Sequence, residues 1–316
     1  AGSSRARRSV GAALMGHMDT RESSTRTREI EEFTNLHFIH PVGARLTPLL
    51  ARLQVSPNAV SLSGMACGML AGWAYYRYQD VRYACLGFLL MVVWHILDGV
   101  DGQLARLTNR QSEFGKIIDG IADNVTFVSV YLGLGLALAP GHGPWVWALL
   151  ALAGTAHSMQ AATYELQRQE YDFWGLGKKS AEFKSVEALR REQQPRSLLQ
   201  QSVYSLGQSY VRWQLRVSGV DPDHRRKVAA ALVAQPDRAP LIRERYRQTF
   251  ARLVRIWSIM SSNYRTFAIF VCALMGVPLL YFLIELLVLT PLTLLLIRQQ
   301  KSRSREFSLL LDRQVP

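Results

Sequence analysis

Four aspartates lie within one short stretch, DGVDGQLARLTNRQSEFGKIIDGIADN, at Asp98, Asp101, Asp119 and Asp123. The first two are three residues apart and the last two are four apart, so each pair shares one face of a helix. Each pair also adjoins an apolar segment. A carboxylate near a bilayer costs roughly 2.5–3.5 kcal/mol at a helix centre, and four that converge need compensating positive charge. Arg106 is the one evident cation beside them, which is too little for ion pairing alone. Bound divalent metal supplies the remainder, and it makes such a surface attractive to a pyrophosphate. Two ions about 3.5–4 Å apart would clamp the bridging and non-bridging oxygens of the bond to be broken. A structural calcium loop is excluded by the spacing, because Asp98 and Asp101 lack the alternating oxygen ligands between them.

The residues between the pairs fit the same chemistry. Gly102 has no side chain and lets a nucleotide approach the backbone, and Ala105 is small for that reason or for helix packing. Arg106 presents a planar, permanently charged fork to a phosphate. Gly115 is expected to let the second and third apolar segments approach each other.

The elements that must position these groups are helices in a membrane. Hydrophobic residues make up 49% of 316, yet they come in blocks, so the mean hydropathy of +0.03 conceals several spans. Spans are expected at Pro57–Tyr76, Tyr83–Leu97, Gly115–Ala139 and Pro144–Gln160, with a fifth and a sixth in Asn263–Ile297 divided near Gly276–Pro278. The first is rich in Gly64, Ala66, Gly68, Ala71 and Gly72, which permits close helix packing. The fifth is short and could be the end of a longer helix rising from the polar region before it. Residues 28–56 read as amphipathic juxtamembrane helices, with Leu46, Leu49, Leu50 and Leu53 at helical spacing. The transmembrane unit with the aspartates covers 57–162, a polar helical insertion 163–262, spans five and six 263–298, and a basic tail 299–316. Residues 1–27 look disordered and tag-like, with no cleavable signal peptide evident.

The net charge of +13 lies in the segments flanking the apolar blocks, which points to anionic lipid and away from nucleic acid. Lys and Arg in the short connections place both termini, the aspartate loop and the insertion on the cytoplasmic side. Cys67, Cys85 and Cys272 all fall in apolar blocks and imply no disulfide.

Written as a pattern, Asp98 to Asp123 is D-x2-D-G-x2-A-R-x8-G-x3-D-x3-D, without a gap. The chain therefore resembles the CDP-alcohol phosphotransferase (CDP-alcohol phosphatidyltransferase) family. That resemblance implies an all-α integral membrane protein, a six-transmembrane-helix bundle with an N-terminal amphipathic interfacial helix. It implies Asp98, Asp101 and Asp119 as metal ligands, and Asp123 as the base toward the acceptor hydroxyl and at most a partial ligand. Gly102, Ala105, Arg106, Asp101 and the Asn58 region would meet the donor nucleotide, although an N-cap role explains Asn58 equally well. The cofactor would be Mg2+ or Mn2+, as two ions. The partners would be a CDP-linked donor, an alcohol acceptor and membrane lipids, with a homodimer compatible with the small residues on the spans.

Two donor classes fit the motif: CDP-diacylglycerol with a small acceptor, favoured slightly, or a CDP-choline or CDP-ethanolamine type donor with a lipid hydroxyl on diacylglycerol or ceramide. A metal-binding membrane transporter is the non-enzymatic alternative. His95 stands one turn before Asp98 as its partner or as a buried structural histidine. Glu285, inside the sixth span, has Tyr281 one turn away. Arg265 is the candidate for an acceptor or phosphate contact, and His157 and Gln160 could face the same cavity.

Overall fold

The computed structural model describes residues 27–178 and 218–313, with isolated positions between 181 and 215. Most of the central part of the expected insertion, and residues 1–26, lie outside the described residues. The described chain is helical, with no strand among those residues.

A π-helical turn over Asn35–Ile39 leads into α1 (His40–Arg52), which lies against α3. The helical core follows as α2 (Pro57–Tyr76), α3 (Val81–Leu107), α4 (Glu113–His142) and α5 (Trp145–Glu170). After the undescribed part come α6 (Pro222–Ala234), α7 (Ala239–Trp257), α8 (Ser262–Leu274) and α9 (Pro278–Ile284). A π-helical turn over Glu285–Leu289 joins α9 to α10 (Thr290–Asp312). Among the described residues, three helical stretches are long and apolar enough to cross a membrane: Val81–Leu107, Ile117–His142 and Pro278–Asp312.

Local chemistry sets the helix ends. Ser56 caps α2 by accepting from the Ala59 N–H at 3.2 Å, with Pro57 supplying a helical φ at the first position. Asn58 therefore lies inside the helix and does not cap it. α8 and α9 part at Gly276, whose φ of +74° suits glycine, followed by Pro278 at the next start. The long helix expected to rise from the insertion into the fifth span is interrupted. A 3-10 turn over Ser258–Met260 and an extended Ser261 separate α7 from α8.

Glycine brings α2 against α4. A methyl group built on Gly68 would overlap Thr126, one on Gly72 would overlap the Ser129 carbonyl, and one on Gly133 would overlap the Gly72 carbonyl. The small-residue stripe expected of α2 therefore serves backbone-to-backbone approach. Tyr75, Met91, Trp94, Val130, Leu134, Phe282 and their neighbours fill the interior of this bundle.

Beyond the bundle a second apolar core forms a cap. Ile30 of the N-terminal segment, Tyr171, Val228 of α6, Ile242, Tyr246, Phe250 and Val254 of α7, and Phe307 and Leu311 of α10 share it. The basic segment after Ile297 is thus helical through Asp312 and packed into the cap. Polar ties complete the docking: Tyr171 Oη donates to Glu29 at 2.7 Å, and Arg255 holds the Glu29 carbonyl. Buried Glu32 accepts from Ser261 at 2.8 Å and Asn263 at 2.7 Å. Arginines of α7 are also engaged within the chain: Arg243 donates to the carbonyls of Phe173 and Trp174, and Arg247 pairs with Glu244.

Candidate metal and nucleotide site

The turn between α3 and α4 brings the aspartates together. α3 ends at Thr108, and Asn109 takes a left-handed φ of +53°, a conformation asparagine tolerates. Ser112 then caps α4, its Oγ accepting from the Gly115 N–H at 3.0 Å. The reversal occupies few residues, so both aspartate pairs lie at the turn end of their helices, and α2 packs against α3 and α4 alike.

Carboxylate oxygens of Asp98, Asp119 and Asp123 all lie within 4.8 Å of one another. An octahedral shell with Mg–O near 2.1 Å places its oxygens about 3.0–4.2 Å apart, so the trio fits a small divalent ion after slight contraction. The donor set is all oxygen, which suits Mg2+ and Mn2+ alike. Asp101 stands at the edge of this group. It is buried, its Oδ2 accepts the Ser61 hydroxyl of α2, and its carboxyl also shares a hydrogen bond with that of Asp119. Two carboxylates in such contact repel unless a proton or a cation lies between them. Ser61, Gly64, Trp94, Asp98, Asp101, Asp119, Ala122 and Asp123 line one narrow cleft.

The remaining motif residues flank that cleft. Arg106 is exposed, and its guanidinium lies over Gly102, where an added methyl would meet it at 3.4 Å. Gly102 therefore gives room to the arginine as well as to a ligand. Ala105 is partly buried on the same helix. Gly115 faces Asn58, whose Oδ1 would stand 3.5 Å from an added methyl, so it opens space toward α2 and not toward α3 as the sequence suggested. Asn58 is thereby beside the start of α4.

Other sequence candidates sit behind the site. His95 bonds to Thr266 Oγ1 of α8 at 2.9 Å and stacks beside Trp94, with ring centroids 4.4 Å apart. Its hydrogen bond runs to α8. Arg265 is 1% exposed and cannot reach a soluble phosphate. Its guanidinium pairs with Glu285 at 3.1 Å, donates to Gln160 and holds the Met260 carbonyl. Tyr281 donates to Glu285 at 3.0 Å and bonds to Tyr131, which meets His157 at 3.0 Å. One buried polar network thus accounts for Arg265, Glu285, His157 and Gln160 together. Sequence reading paired Tyr281 with Glu285 from helical spacing but missed Arg265, because a pair 20 residues apart across two helices has no periodic signal.

Residues 54–184, less than half of the chain, match the family described as CDP-alcohol phosphatidyltransferase. An archaetidylinositol phosphate synthase of Pyrococcus horikoshii is 30% identical over 111 residues, covering 35% of this chain and 55% of the relative. A CDP-diacylglycerol–serine O-phosphatidyltransferase of Helicobacter pylori is 43% identical over 75 residues, covering 24% of this chain and 30% of the relative. Cholinephosphotransferase 1 of Gallus gallus is 33% identical over 111 residues, covering 33% of this chain and 32% of the relative. The chain spans about half the length of the first relative and about a third of the other two.

Proposed function

We propose that this chain, whose residues 54–184 belong to the CDP-alcohol phosphatidyltransferase family, is a membrane phosphotransferase of phospholipid synthesis. It transfers a substituted phosphate from a CDP-alcohol, CDP-diacylglycerol in the favoured reading, to an acceptor hydroxyl and releases CMP. The observation that carries this reading is the trio Asp98, Asp119 and Asp123, gathered within 4.8 Å at the mouths of two apolar helices inside the family-matched segment.

Asp98, Asp119 and Asp123 would hold a divalent ion, with Asp101 beside them for a second. When bound, the metal neutralises the pyrophosphate and stabilises the departing CMP. Arg106 and the open backbone at Gly102 receive the donor phosphates, with Asn58 and Ala105 along the same mouth. The acceptor oxygen forms its bond to the phosphorus that carries the alcohol, and the bond from that phosphorus to CMP breaks. Asp123 takes the hydroxyl proton, so no covalent enzyme intermediate is needed. We further propose that α2, α5 and α8 cross the membrane with the three most apolar stretches, giving six spans. The site then opens to the cytoplasm, and the 28–56 helices lie at that interface.

A second donor reading has its own support, since one relative is named a cholinephosphotransferase. Transfer of a small phospho-alcohol to diacylglycerol or ceramide would use the same cleft. The deciding experiment incubates purified full chain with CDP-diacylglycerol or CDP-choline, crossed with serine, glycerol phosphate, inositol phosphate and diacylglycerol, in Mg2+ or Mn2+. CMP and a product of the summed mass identify the pair. Metal binding without CMP from any pair would overturn the enzymatic reading and favour a non-enzymatic metal-binding protein.

A further inference from the structure

Asp101 differs from the other motif carboxylates in its neighbour on α2. Ser61 is 8% exposed and lines the cleft from the helix that carries no motif aspartate. A serine inside an apolar helix ordinarily returns its hydroxyl to the carbonyl four residues earlier. Ser63 does so, donating to Ala59 at 2.8 Å. Ser61 has the same option at the Pro57 carbonyl, 3.3 Å away, but its closer acceptor is Asp101 Oδ2 on α3. A hydroxyl has one proton, and a carboxylate is the stronger acceptor. Asp101 is consequently gripped from two helices, by Ser61 of α2 and by Asp119 of α4.

We infer that Ser61 is a positioning residue for the metal site: its hydroxyl fixes one oxygen of Asp101 so that the carboxylate is held against Asp119 as an added ligand. This inference rests on the metal-dependent reading above. It gives α2 a chemical part in the site beyond packing. Partners of ligating carboxylates typically change metal affinity 10–100-fold when removed.

The test is Mn2+ binding to purified full chain without any donor, followed through the resonance signal of free Mn2+. Ser61→Ala and Ser61→Val should bind about 10–100-fold more weakly, while Ser61→Thr, which keeps the hydroxyl, should stay near the wild type. Threonine and valine have nearly the same volume, so their difference reports the hydroxyl even if alanine disturbs folding. Wild-type affinity in Ser61→Val, or equal weakness in Ser61→Thr and Ser61→Val, would overturn the inference. A hydroxyl-dependent affinity in a protein that releases no CMP from any donor would uphold Ser61 and sink the phosphotransferase reading instead.

Discussion

Replacing Asp123 with asparagine keeps the shape of the side chain and removes its capacity to accept a proton. In the proposed reaction, CMP release by Asp123→Asn should fall at least about 100-fold, the scale of general-base catalysis. Binding of the CDP-linked donor should survive, measured by calorimetry on the same preparation. Wild-type turnover would remove Asp123 from the base role. At this scale the sequence was most informative: spacing alone put Asp98 with Asp101 and Asp119 with Asp123 on shared helix faces. The division within the four was not legible there. Asp101 is set apart by Ser61, 40 residues away on another helix, and no local pattern encodes that contact.

Helix contacts decide how firmly the site is held. Gly133→Ala would drive a methyl into the Gly72 carbonyl, a backbone atom that cannot swing away. Overpacking of this kind typically costs about 1–3 kcal/mol, and rigid backbone on both sides puts this case at the upper end. A lowered melting temperature in detergent is the expected readout, with Gly120→Ala, which meets nothing within 4 Å, as the neutral control. The pair Arg265 and Glu285 makes a different point. Arg265→Met strands a buried carboxylate and should cost about 3–5 kcal/mol. Adding Glu285→Met to that variant should recover much of the loss, because replacing both partners leaves no buried charge. No recovery in the double variant's melting temperature would mean that Tyr281 and Gln160 depend on both charges. The sequence marked Arg265 and Glu285 individually as unusual in a membrane. Only packing showed that they satisfy each other, which withdraws Arg265 from any phosphate contact.

At the scale of the whole molecule, the bundle and the cap are joined by α7, α10 and the segment around Glu29 and Glu32. His224 of α6 reports on the cap. It bonds to Ser308 of α10 at 3.0 Å among Tyr246, Phe250 and Phe307. Burial, chiefly, lowers it from 6.5 to about 4, with Asp221 acting upward and Arg225 downward. The folded cap thus resists a proton that the unfolded chain accepts. Stability is full above about pH 6.5 and is lost as pH falls toward 4, by ~3 kcal/mol. Melting temperature should drop across that window in the wild type and drop less in His224→Gln. An identical pH slope in both would remove His224 as the cause. The sequence by itself determined the membrane class, the turn-bounded helices and the carboxylate pairs, because periodicity, capping and spacing are local. Tertiary structure alone decided that Asp123 and not Asp101 completes the tight trio with Asp98 and Asp119, that Ser61 grips Asp101, and that the basic segment after Ile297 belongs to a packed cap. Each of those depends on side chains from different helices meeting in space.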